Sequence, residues 1–191
     1  MEFPTREVAL SLIRQFRLQD FDQIRTSGGS SYDEEYYSAV FIAQYDKESK
    51  QVFFLGLPYN SSFYKENESN GHTKKNGESP TETAIREGIE ETGLLIKECD
   101  LKLVYHSFVP NRKDITKNHH KYFYLVDNFQ GTLFDFLDEP NPIDNETSTP
   151  IWIPASLFRE VLFEGHQKSL RKAIEELKQT SVEYYYALES V

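Results

Sequence analysis

The chain reads as an α/β domain. Three observations lead there: a helix with hard start and stop signals between Ser79 and Gly93, strand-like runs on both sides of it, and helical stripes near each end. A length of 191 residues suits one domain with an added element.

Taken in order, residues 5–24 carry Ala9, Leu12, Ile13 and Phe16 at helical spacing, with Phe21 and Ile24 extending the stripe. Thr26-Ser27-Gly28-Gly29-Ser30-Ser31 has the composition of a flexible linker. Residues 1–27 are therefore expected as a helical extension and 28–191 as the main domain. The extension is expected to pack on its own domain, with a homodimer interface as the sharper alternative. Tyr36–Tyr45 and Gln51–Leu57 read as strands around the polar turn 46–50, and a long polar loop covers 58–76. Leu101–Val109 and Tyr122–Val126 read as two more strands. Between them lies the most basic stretch of the chain, with Arg112 and Lys113 as phosphate contacts or as part of a solvated tip. His119 and His120 alternate across a strand start and lack partners at zinc spacing. Leu170, Ala173, Ile174 and Leu177 form the stripe of a final helix, and the run 184–186 of tyrosines suits aromatic packing.

The central helix carries the chemistry. Ser79 suits the N-cap, Pro80 the first helical position, and Glu82 completes an S-x-x-E capping box. Gly93 stands where a left-handed C-cap is wanted. Helical spacing gives Ile85, Gly88, Ile89 and Thr92 one face and Glu87, Glu90 and Glu91 the opposite one. Like charges at i and i+4 cost a few tenths of a kcal/mol, about 0.3, and the macrodipole disfavours anions in a last turn. Only Arg86 offsets them, with Glu82 or Glu90 as its partner. Such local conflicts gather at functional sites. A hard divalent cation, which takes oxygen ligands, is the natural compensation, with a solvated face as the alternative reading.

Glu78, seven residues, then Arg86-Glu87-Gly88-Ile89-Glu90-Glu91-Thr92-Gly93-Leu94 resembles the Nudix box, G-x5-E-x7-R-E-U-x-E-E-x-G-U, with U bulky and apolar. His72 stands where the box opens on glycine, and Gly88 at its first U position. The resemblance implies an α/β/α sandwich around a mixed sheet, with an N-terminal helix added here. It also implies a Mg²⁺-dependent hydrolase, with Mn²⁺ as an alternative ion, that cleaves the pyrophosphate bond of a nucleoside diphosphate derivative. Glu87, Glu90 and Glu91 would hold the metal, and Glu87 or Glu90 would double as the base. Arg86 would orient them, Glu78 would pair with Arg86, and Gly77 and Gly93 would shape the loops at either end. Phe63 and Tyr64 are available to stack on a base. In the acidic stretch 134–146, Glu146 is the candidate for the additional acid some Nudix enzymes place ahead of a Trp-x-Pro segment, here Trp152-Ile153-Pro154. The alternative function is a catalytically weak Nudix-like domain that binds or senses a nucleotide.

A net charge of −10 argues against a general nucleic-acid binder, which needs a basic footprint. The expected partner is a nucleotide-derived small molecule. A single cysteine, Cys99, excludes an internal disulfide framework and fits a reducing compartment. No long apolar run suggests a membrane span, and the cytoplasm is the expected location.

Overall fold

The computed structural model describes residues 2–31, 35–62 and 77–191. Among these, seven strands form one mixed sheet in the order β1 (Gln23–Arg25), β4 (Gln51–Tyr59), β3 (Tyr36–Asp46), β7 (Asn118–Val126), β6 (Lys102–Pro110). Strand β2 (Ser27–Ser30) adds to β3, and β9 (Ile151–Pro154) adds to β4. β3 and β7 run parallel, and the other pairs are antiparallel. A short pair, β5 (Leu94–Leu95) with β8 (Gln130–Gly131), closes the end of the central helix.

The alternation of β3 explains the layers. Ala39, Phe41 and Ala43 point to one face, while Val40 and Ile42 point to the other, and all five are buried. The first face is covered by α1 (Arg6–Arg17), α3 (Ala155–Val161), α4 (Gln167–Thr180) and α5 (Val182–Leu188). On the second lies α2 (Pro80–Thr92), which brings Ala84 and Ile85 onto Val40, Phe53 and Tyr124. The fold is an α/β/α sandwich with an N-terminal helix.

α1 is shorter than its apolar stripe. It starts at the Thr5 cap and ends at Arg17, with Leu18 as C-cap. Phe21 and Ile24 are buried beyond it, Ile24 as part of β1 paired to β4. Ala9, Ile13 and Phe16 belong to the same apolar cluster as Phe41, Phe54 and Phe158, so the helix shares the core of the sheet. The segment expected as a linker is strand β2, with Ser27↔Val40 and Gly28↔Ala39 in register. Its small residues serve close approach rather than flexibility. A Cβ on Gly28 would stand 2.6 Å from Ala39 Cβ and 2.7 Å from the Ser38 carbonyl. No helix among the described residues is long and apolar enough to cross a membrane.

Candidate metal-binding site

Helix α2 is bounded as its residues dictate. Ser79 accepts a hydrogen bond from the Glu82 amide at 3.2 Å, Pro80 opens the helix, and Gly93 closes it at φ 82° with its amide on the Ile89 carbonyl. Gly77 takes a left-handed turn at φ 82° just before it. Two side chains of β3 fix the entry: Tyr36 Oη donates to the Glu78 carbonyl, and Ser38 Oγ donates to the Pro80 carbonyl at 2.5 Å.

Between a solvated face and an inward one, the structure turns the acids inward. Glu91 is only 5% exposed, while Ile89, on the opposite face, is 38% exposed. The reason is strand β2, which presents two glycines to the helix. Glu91 Oε1 accepts from the Gly28 amide at 2.8 Å and from Ser27 Oγ at 3.0 Å. A Cβ on Gly29 would lie 2.7 Å from Glu87 Cδ, so only glycine leaves room for that carboxylate. Backbone donors and absent side chains admit acids that a bulkier strand would expel. Gly88 meets Ile96 rather than the sheet, with 3.1 Å from a Cβ to Ile96 Cδ1.

Arg86 is the hub. Its Nε donates to both oxygens of Glu78, at 3.0 and 2.9 Å, and its Nη1 to Glu87 at 3.0 Å and Glu90 at 3.1 Å. Of the two partners that helical spacing offered, Arg86 takes Glu90 while Glu82 stays exposed in the first turn; Glu78 pairs as the resemblance implied, and Glu87 joins them. Burial works against the guanidinium charge, yet Glu78, Glu87 and Glu90 together hold its pKa above the usual arginine value. One cation does not balance the acids. Burial, reinforced by Glu90 and Asp144, pushes the Glu87 carboxyl up against the pull of Arg86. Burial, with Glu87 and Asp144, pushes Glu91 well up in spite of its two hydrogen bonds.

A loop acid that sequence reasoning did not single out, Asp144, acts on this cluster. Asp144 Oδ1 accepts from the amides of Glu146 at 2.9 Å and Thr147 at 3.2 Å, and Thr147 Oγ1 donates to its Oδ2 at 3.1 Å. These bonds turn the Asp144 carboxylate inward; burial, helped by Glu90, raises its pKa. The Glu146 carbonyl takes the Asn60 amide. The D-x-x-T spacing of Asp144 and Thr147 is the sequence signal that could have found Asp144. Ser27 and Gly28 had no such signal, since their role depends on a helix 60-odd positions away.

Other expected site residues fall elsewhere. Phe63, Tyr64 and His72 lie outside the described residues. Arg112 and Lys113 stand exposed in the turn between β6 and β7, and the set gathered round Arg86 does not include them. Among the described residues, no three histidine, cysteine or acidic side chains converge into a complete ligand set. The donor chemistry nonetheless suits a hard cation: every candidate ligand is a carboxylate, and the buried acids repel one another.

A family model described as the NUDIX domain matches residues 65–177, more than half of the chain. The chain belongs to the NUDIX family. A solved structure agrees on the fold of this NUDIX protein. The chain is similar to a proposed NUDIX hydrolase of Listeria monocytogenes at 16% identity and TM-score 0.50, covering 82% of this chain and 94% of that one. It is also similar to a MutT/nudix family protein of Enterococcus faecalis at 12% identity and TM-score 0.49, covering 98% and 81%. An Ap4A hydrolase of C. elegans matches at 17% identity and TM-score 0.43, covering 74% and 98%. Comparison with curated protein sequences gives no match.

Proposed function

We propose that this NUDIX protein is a Mg²⁺-dependent hydrolase that cleaves the pyrophosphate bond of a nucleoside diphosphate derivative. The observation that carries the reading is the burial of Glu87 and Glu91 side by side against a glycine strand, with Arg86 as the cation between Glu78, Glu87 and Glu90. Such an arrangement is costly unless a further positive charge joins it. A bound divalent cation supplies that charge, neutralises the diphosphate and makes water more acidic. Mn²⁺ has the same oxygen preference and serves as the substitute ion.

The chain's own residues do the rest. Glu87, Glu90 and Glu91 would hold the ion, with Asp144 offering a further carboxylate from the loop. Arg86 orients Glu87 and Glu90 through Nη1 and is itself held at Nε by Glu78. Glu87 or Glu90 accepts the proton of the attacking water. The net charge of −10 favours a small nucleotide substrate over a nucleic-acid chain.

The test is a panel of dinucleotides, nucleotide sugars and nucleoside triphosphates, assayed for phosphate-bearing products with and without Mg²⁺. Turnover that needs the ion and is lost in Glu91→Gln, with the circular dichroism spectrum intact, is expected. Wild-type turnover in Glu91→Gln refutes the ligand assignment. Thermal stabilisation by a nucleotide without any product would point to a sensor instead.

A further inference from the structure

We propose that Asn141 is a positioning residue: it fastens the 141–147 turn to the last turn of α2 and so sets Asp144 among the box carboxylates. The inference rests on the metal-site reading above. Asn141 is fully buried, and both ends of its amide are used. Nδ2 donates to the Glu90 carbonyl at 2.9 Å, and Oδ1 accepts from the Ile143 amide at 2.9 Å. Its backbone closes the turn, with the amide on the Thr147 carbonyl at 2.7 Å and the carbonyl on the Asn145 amide at 2.7 Å.

The Glu90 carbonyl is among the last four of α2, which have no acceptor role within the helix. Such a group needs a donor when it is shielded from water, and Asn141 supplies one from 51 positions away. The turn beyond it is a unit, because Asp144 is tied to the amides of Glu146 and Thr147. Gripping the helix at one end therefore fixes the carboxylate at the other. Without the grip, repulsion from Glu87, Glu90 and Glu91 would drive Asp144 outward, where water stabilises its charge. The tether holds a like charge in a place that electrostatics alone would vacate.

The test is Mn²⁺ titration of the full chain by electron paramagnetic resonance at one pH, for wild type, Asn141→Ser, Asp144→Asn and the double variant. Serine keeps an oxygen for the Ile143 amide but is too short to reach the Glu90 carbonyl. Asn141→Ser is expected to weaken Mn²⁺ binding about tenfold, as loss of an outer partner does. Asp144→Asn should cost at least as much, and the double variant no more than Asp144→Asn alone, because Asn141 acts through Asp144. Losses that multiply in the double variant, or wild-type affinity in Asn141→Ser, overturn the proposal. Should Asn141→Ser fail to fold, Asn141→Asp, with the same shape and no donor, enters the same cycle. A wild type that binds no Mn²⁺ sinks the hydrolase reading and this inference with it. Wild-type binding that Asn141→Ser leaves unchanged sinks this inference alone.

Discussion

His166 makes the fold sensitive to acid in a way that can be worked out. It stands just before the start of α4, is 5% exposed, and sits among the rings of Tyr37, Phe123 and Phe163 at 6.0, 5.2 and 5.3 Å. Its Nδ1 is buried and has no hydrogen-bond partner among the described residues. Burial, with the positive charges of Arg25 and Lys121, pushes its pKa down from 6.5 to about 3. The folded protein thus keeps the ring neutral at a pH where the unfolded chain protonates it. Stability is full above pH 6.5 and falls as pH drops toward 3, because the unfolded state then binds more protons. At pH 5, about 1.5 units below the ordinary value, the loss is about 2 kcal/mol at 1.36 kcal/mol per unit. Urea unfolding followed by circular dichroism at pH 8 and pH 5 measures it. The raised carboxyls of Glu87, Glu91 and Asp144 act in the opposite sense, so the comparison is with His166→Phe, which retains them. His166→Phe should lose about 2 kcal/mol less than wild type over that interval. Equal losses in the two proteins would refute the reasoning.

Two further outcomes follow from the site. Arg86→Ala leaves Glu78, 8% exposed, without the guanidinium that holds it, and should cost about 3 kcal/mol in a urea melt; a change within experimental error would count against a structural hub. Gly28→Ala drives a methyl into the Ser38 carbonyl and Ala39 and should destabilise by about 1–3 kcal/mol or more, whereas Gly29→Ala meets only the Glu87 side chain. Gly29→Ala should keep its melting temperature and lose Mn²⁺ affinity in calorimetry; the reverse pattern for the pair would overturn the account of β2.

The parts of the fold legible in the sequence were those set by near neighbours. Ser79, Pro80 and Gly93 each act within one turn of their own position, and each holds the role its type suggests. The strands at 36, 51 and 102 and the stripe of α4 follow from periodicity in the same way. What escaped depends on distant partners. Helical spacing puts Glu87, Glu90 and Glu91 on one side, but which side is inside depends on what packs there. Gly28 and Gly29 decide it by leaving room, and their composition resembles a linker. The part played by Asp144 likewise depends on how its carboxylate bonds back into its own turn.

The acid cluster is stitched across long stretches of chain: Ser27 reaches Glu91 over 64 positions, and Asn141 reaches Glu90 over 51. Each such closure spends chain entropy before it returns any contact energy. The cation grip therefore matures only after both distant segments have docked on helix α2. During refolding, affinity for a divalent ion should lag behind helical signal, which makes ion uptake a late clock for this architecture.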